Sequence, residues 1–222
     1  MKKEIVALVP VKGVSERVKN KNMRPFYNTS LYELKLKHLK NVRGFSKIII
    51  SSENREILNI AQCKGFEIHA RDPKYSTSTI PMSEVYSYIA SEIQGEHIAW
   101  VNVTNPLAEA NVYEKAIEEY KLMDPKYDCL LSVYEVKDYL FYNGKPVNFQ
   151  PNPWPRSQDL SGVCAMSYVV NILPRKDMVK WGSCVGKNPY FFYLDRITSL
   201  DVDFQEDFDF CEMIYKQRIC GS

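Results

Sequence analysis

Residues 5–22 read Ile-Val-Ala-Leu-Val-Pro-Val-Lys-Gly-Val-Ser-Glu-Arg-Val-Lys-Asn-Lys-Asn, a short apolar run that passes directly into a loop crowded with cations. The run shows no polar alternation, which predicts a strand covered on both faces, as in a parallel sheet between helix layers. The loop offers a flexible glycine (Gly13), a hydroxyl (Ser15) and four positive side chains, Lys12, Arg17, Lys19 and Lys21. Open α/β sheets bind ligands beyond the carboxyl ends of their strands. A loop of this composition in that place predicts a polyanion site, with phosphate the first candidate.

Strand and helix patterns alternate outward from this start. Leu31, Tyr32, Leu34, Leu36 and Leu39 give helical spacing over about 30–41, and Lys47–Ser51 forms a second strand around three isoleucines. A helix is expected over Glu53–Lys64, closed by Gly65, then a short strand over Phe66–Ala70. Pro81 opens a helix reaching Ile93, with Ser78 and Thr79 as capping candidates. His97–Val103 is a fourth strand, and Ala110–Met123 a helix with Val112, Ala116, Tyr120 and Met123 on one stripe. Strands follow at Cys129–Tyr134, Ala165–Val170, Phe191–Leu194 and Thr198–Asp201, and a last helix carries Phe204, Phe208, Cys211 and Tyr215. Residues 142–162, rich in Asn, Pro, Gly and Gln, predict a long loop or an excursion that packs elsewhere. The rhythm is that of a Rossmann-like α/β protein.

Composition narrows the function classes. The 222 residues suit one domain with a modest excursion, and a 45% hydrophobic share suits a soluble core. A formal net charge of +2 argues against nonspecific nucleic-acid binding, so the cations of the first loop mark a local site. Without a run long enough to span a bilayer or a signal-peptide pattern, a cytoplasmic location with no membrane partner is expected. Six cysteines without a C-x-x-C pair are expected to be reduced and mostly buried, and the isolated His38, His69 and His97 to be structural.

Three segments carry chemistry. Cations and amides around a triphosphate would offset the charge that builds when its α-phosphorus is attacked. The loop 12–22 has neither the Walker spacing nor G-x-G-x-x-G, which argues against an ATPase or dehydrogenase loop. Asp201 and Asp203, two apart in an extended segment, would project to one side and could hold one hard divalent cation, Mg²⁺ bridging phosphates being the natural choice. Asp207 and Asp209 follow, where acidic residues suit a helix start. Asn102-Val-Thr104-Asn-Pro-Leu107 brings amides and a hydroxyl to a strand end, where they can meet a base or ribose.

Taken together, these segments resemble the acylneuraminate cytidylyltransferases, the CMP-sialic acid synthetases. Residues 9–22 look like the family's P-A-R-G-G-S-K-R-I-x-x-K-N signature, and 103–107 are similar to its Q-P-T-S-P-L. Ile-Ile-Ile-Ser-Ser-Glu at 48–53, Ala-Arg-Asp-Pro at 70–73 and Asp201-Val-Asp203, similar to I-D-I-D, continue the match in order. The resemblance implies a CTP-dependent cytidylyltransferase that joins CMP to an anionic acceptor, of the sialic-acid type or a related acid, and releases pyrophosphate. It also implies a Rossmann-like three-layer nucleotidyltransferase fold with a mainly parallel sheet, Mg²⁺ dependence, and a homodimer formed through an excursion around 140–162. Carried over by position, Lys12, Gly13, Ser15, Arg17, Lys21 and Asn22 would hold the triphosphate and cytidine. Lys12, Lys21 and Asp203 would act in catalysis, with Lys21 on the departing pyrophosphate. Arg71 and Asn102 would fix the nucleotide, Asp201 and Asp203 would bind metal, and Asn102, Thr104, Arg156 and Tyr168 would face the acceptor.

Departures fall in the first loop and, most tellingly, on the acceptor side around 159–168. Lys12 stands where arginine is usual, Glu16 replaces a lysine, Asn102 is one methylene shorter than glutamine, and Ala108 replaces a polar residue. The family's arginine-bearing approach to N-G-A-I-Y is here Asp159-Leu-Ser-Gly-Val-Cys-Ala-Met-Ser-Tyr168, with Arg156 upstream. A smaller acid, such as a phosphonate, is therefore an alternative acceptor. A GT-A-like glycosyltransferase also uses an aspartate pair, although usually mid-chain, and a nucleotide-binding protein without catalysis would also keep the loop.

Overall fold

The computed structural model describes residues 3–221. Seven strands build the central sheet: β1 (Ile5–Pro10), β2 (Lys47–Ser52), β3 (Glu67–Ala70), β4 (His97–Trp100), β5 (Cys129–Glu135), β6 (Cys164–Pro174) and β7 (Pro189–Leu194). Six helices surround it: α1 (Leu31–Lys40), α2 (Arg55–Cys63), α3 (Met82–Glu92), α4 (Ala110–Leu122), α5 (Arg175–Trp181) and α6 (Gln205–Cys220). Across the sheet the order is β7-β5-β6-β4-β1-β2-β3. All neighbours pair in parallel except β6, which runs antiparallel to both β4 and β5.

The unbroken apolar character of β1 has the expected cause. Ile5 and Val9 pack against α1, α2, α4 and α6 on one face, while Val6 and Leu8 pack against α3 and α5 on the other. Both sets are shut off from solvent, so a polar residue anywhere in the strand would lose its hydration without gaining a partner. The chain moves from β1 outward to β2 and β3, then returns to place β4 on the opposite flank of β1. That reversal opens a crevice at the carboxyl ends of β1 and β4, where such sheets bind ligands.

Local chemistry sets most element ends. Ser30 Oγ accepts from Glu33 N (3.1 Å) and caps α1, and Asn54 Oδ1 accepts from Glu56 N (2.8 Å) and caps α2. Gly65, at φ +86°, takes the left-handed turn that ends α2. Ser78 and Thr79 do not cap α3, which starts at Met82 with Pro81 at the N-cap position and no side-chain cap. The strand expected at 198–201 is a turn, because the Asp195 carboxylate accepts from the amides of Ile197 and Thr198 (2.9 Å each) and folds the chain back. α5 was not anticipated, and β6 extends to Pro174, well beyond the expected Val170. Between β5 and β6 the chain leaves the sheet as an arm, with a small hairpin (Phe141–Tyr142 with Lys145–Pro146) and a helical turn at Ser157–Asp159. No helix of the described residues is long and apolar enough to cross a membrane.

Candidate active site

The loop after β1 is built around Glu53. Its carboxylate accepts from Gly13 N (2.6 Å), Ser76 Oγ (2.6 Å) and Arg71 Nη2 (2.7 Å), tying together the segments that follow β1, β2 and β3. Burial works against the charged form, but the bonds from Ser76, Arg71 and Gly13 outweigh it and hold this carboxyl below its ordinary range. Arg71 is buried (3% exposed) and also donates to the Val11 carbonyl (2.9 Å). It therefore supports the loop from behind. Gly13, whose N–H is taken by Glu53, lies so close to α2 that a Cβ there would sit 2.7 Å from Asn54 Nδ2. Asn22 closes the loop by donating to the Lys12 carbonyl (3.0 Å).

Held this way, Lys12, Ser15, Arg17, Lys21 and Asn22 line a cavity of about 390 Å³ together with Asn102, Thr104, Ser76 and Ser78. The expected cations thus meet the amide and hydroxyl of the β4 loop. Asn102 is oriented by a bond from Trp100 Nε1 (3.1 Å). Lys21 Nζ donates to the Val202 carbonyl and lies 3.8 Å from Asp203 Oδ1, while Arg17 Nη2 is 2.8 Å from the same oxygen. Burial pulls the Lys21 ammonium below the usual lysine value, against the attraction of Asp203 and Asp201.

The acidic pair is presented by the segment between β7 and α6. Val202 N donates to the Thr104 carbonyl (2.8 Å), and Asp207 accepts from the amides of Asp203 (3.0 Å) and Phe204 (2.8 Å). Asp201 is mostly buried; burial raises its pKa, opposed by a hydrogen bond from Thr104. Its Oδ1 is enclosed with no partner. Among the described residues no cluster of three or more metal-ligating side chains exists, and a cation here would have Asp201 and Asp203 as its protein donors. This fits Mg²⁺, a hard ion that takes one or two carboxylates and completes its shell with water and substrate phosphates.

Asp201 and Asp203 also line a second cavity of about 540 Å³, with Tyr168, Ser167, Lys137 and Arg196. Tyr168 sits in the left-handed region (φ +57°) at an irregularity in the β6–β5 pairing between Met166 and Asn171. A bulge of this kind re-aims a side chain, and here it accompanies a tyrosine that lines the cavity. Lys137 is paired with Glu135 (2.8 Å). Arg156 is exposed on the arm, forked to Asp159 (2.8 and 2.9 Å), and lines neither cavity. Of the five enclosed side-chain N or O atoms without a partner among the described residues, four belong to Asn22, Arg71, Asn105 and Asp201, in or beside this site. Buried polar groups are normally paired; of these four residues Asn22 and Asp201 stand on cavity walls, whereas Arg71 and Asn105 line neither cavity. Glu53, Lys137 and Arg196 were not singled out in the sequence; Glu53 alone carried a signal, as the end of the Ile-Ile-Ile-Ser-Ser-Glu stretch.

Residues 6–158 match the sequence profile of a family described as cytidylyltransferase. The chain belongs to that family. It is thus an enzyme of the nucleotidyltransferase class, as the motif resemblance implied. The cytidylyltransferase is 25% identical over 228 residues to the post-translational flagellin modification protein B of Campylobacter coli, covering 97% of this chain and 96% of the relative. It is 23% identical to a pseudaminic acid cytidylyltransferase of Campylobacter jejuni, covering 95% and 96%. In fold it is similar to CMP:2-keto-3-deoxy-manno-octonic acid synthetase complexed with CTP, with a TM-score of 0.69 and 9% identity over 97% of this chain and all of that one (100%).

Proposed function

We propose that this cytidylyltransferase joins CMP from CTP to a hydroxyl of a nonulosonic acid or closely related anionic sugar, releasing pyrophosphate. The observation that carries the reading is the meeting of two cavities at one acidic pair. The cation-lined cavity reaches Asp203 through Arg17 and Lys21, and the second cavity is lined by Asp201 and Asp203 themselves. A triphosphate in the first would place its α-phosphorus beside an acceptor in the second. The acceptor oxygen forms a bond to that phosphorus as the bond to the β-phosphate oxygen breaks. Positioning and charge neutralisation supply most of the catalysis of such a transfer. Lys12, Arg17 and Lys21 would neutralise the triphosphate, with Lys21 beside the departing pyrophosphate, and Ser15, Asn22 and Asn102 would orient the nucleotide. Mg²⁺ held by Asp201 and Asp203 would add charge stabilisation at the phosphate oxygens when bound.

On the acceptor side, Tyr168 and Arg196 line the second cavity, whereas Asn102 and Thr104 line the first and Arg156 lines neither. Room for a nine-carbon sugar exists, since 540 Å³ lies within the range of cavities that enclose ligands of that size. That volume and the relatives' named substrates favour a nonulosonic acid over a small phosphonate. A cytoplasmic location is supported by six unpaired thiols, and a homodimer by the exposed aromatic residues of the arm.

The test is pyrophosphate release from CTP and Mg²⁺ with pseudaminic acid, N-acetylneuraminic acid, 2-keto-3-deoxy-manno-octonic acid and aminoethylphosphonate in parallel. Release with a sugar acid is the expected result. Release with the phosphonate alone would move the acceptor class, and CTP binding without release from any acid would overturn the catalytic reading.

A further inference from the structure

Lys35 lies on α1 with no exposure to solvent, on a helix whose Leu31, Leu34 and Leu39 belong to the core, and its ammonium sits against the Tyr113 ring (5.0 Å to the centroid). Lysine is among the residues least often buried whole, and its charge is costly there unless it is used. Its Nζ donates to the Asn105 carbonyl (2.8 Å) and to the Tyr113 hydroxyl. Asn105 is itself fully buried, and its Nδ2 donates to two carbonyls from distant parts of the chain, Ser167 (3.0 Å) and Leu200 (3.1 Å). Ser167 precedes the bulge that holds Tyr168, and Leu200 precedes Asp201. Both line the second cavity. Burial pulls the Lys35 pKa down to about 7, against the attraction of Asp201. One buried lysine therefore stands at the root of a relay running from α1 through the β4 loop to both walls of the acceptor cavity.

We propose that Lys35 is a positioning residue that, acting through Asn105, fixes the segment carrying Asp201 and the acceptor wall formed by Ser167 and Tyr168. It does not line either cavity and touches no reacting atom. A methionine of similar length would fill the same space without the charge but leave the Asn105 carbonyl and the Tyr113 hydroxyl without that donor, so some loss of stability is expected whatever the role of Lys35. A core residue predicts protection lost throughout the domain on substitution, whereas a positioning residue predicts it lost first at the segment carrying Asp201.

The metal expectation rests on the reading of the site given above, so the test includes a readout independent of it. In Lys35→Met, hydrogen exchange at amides 199–203 is expected to accelerate at least tenfold, while the amides of β1 and β4 keep their protection. Mn²⁺ binding followed by electron paramagnetic resonance with CTP present should weaken at least fivefold, and the acceptor KM should rise by a similar factor while the CTP KM stays within twofold. Unchanged exchange at 199–203, or a loss of protection uniform across the domain, would overturn the assignment. Should Lys35→Met fail to fold, Lys35→Gln, which keeps a polar head on a stem one bond shorter, must accelerate the same amides, and no acceleration there overturns it equally. If the wild-type protein releases no pyrophosphate with any acid, the proposed function falls, yet the exchange measurement still decides the role of Lys35.

Discussion

Asp203 is fixed from two sides, its amide by the Asp207 carboxylate and its own carboxylate by Arg17 and Lys21. The side chain is 42% exposed, and ion pairs that open to water contribute about 0–1 kcal/mol. Asp203→Ala should therefore leave the melting temperature near that of the wild type while lowering kcat by about a hundredfold or more, the scale of losing a group that stabilises developing charge. Near-normal turnover in that variant would refute the assignment of the acidic pair. Gly13 makes a different prediction. An added methyl would meet Asn54 at 2.7 Å (Nδ2) and 2.8 Å (Cβ), so the loop or the α2 cap has to shift. Overpacking of this kind costs about 1–3 kcal/mol. The Glu53 bond to Gly13 N gives way with it, so Gly13→Ala should raise the CTP KM about tenfold in steady-state kinetics with little change in acceptor KM.

At the scale of elements, α1 shows what sequence patterning reveals and what it conceals. Position 35 lies four residues from Leu31 and four from Leu39, so the helical spacing marks it as inward-facing; the residue type alone argues otherwise, and only the structure supplies Asn105 and Tyr113 as partners. His38 on the same helix is held neutral, its pKa pulled from 6.5 to about 4 by burial first and by the charge of Lys35 second. Between pH 6.5 and 4 the unfolded chain binds a proton there that the folded chain does not, so stability declines as pH falls through that window. The linkage amounts to at most about 3 kcal/mol. In denaturant titrations, His38→Gln should show a shallower decline than the wild type across the same window, and parallel curves would refute the coupling. The strand β1, its basic loop and the alternation through α4 were legible because periodicity and composition change together at each boundary. The strand expected at 198–201 is absent because a side chain, Asp195, closes a turn there, and Val202 makes one backbone bond to Thr104 in place of a ladder. Arg156 and Arg71 were legible as cations but not in their orientation, since Asp159 and Glu53 claim them.

For the molecule as a whole, the arm between β5 and β6 holds apolar surface that a single copy leaves open. Phe141, Tyr142, Val147 and Trp154 are 60%, 73%, 52% and 59% exposed, and Phe149 packs among them against Tyr139 and Trp154. Light scattering is expected to report two copies in solution, with Tyr142→Asp combined with Trp154→Asp shifting the population to one; a wild-type monomer would refute the homodimer. The reversed course of β6 gives this arm a wider significance. Because β5 ends and β6 begins at the same end of the sheet, the arm departs from and returns to the rim of the second cavity; its roots at 134–138 and 166–168 line that cavity, while its tip at 141–159 lines neither. Insertions or exchanges at the tip therefore leave every pairing of the central sheet intact, so the surface presented to another copy can change without touching the chemistry at the roots.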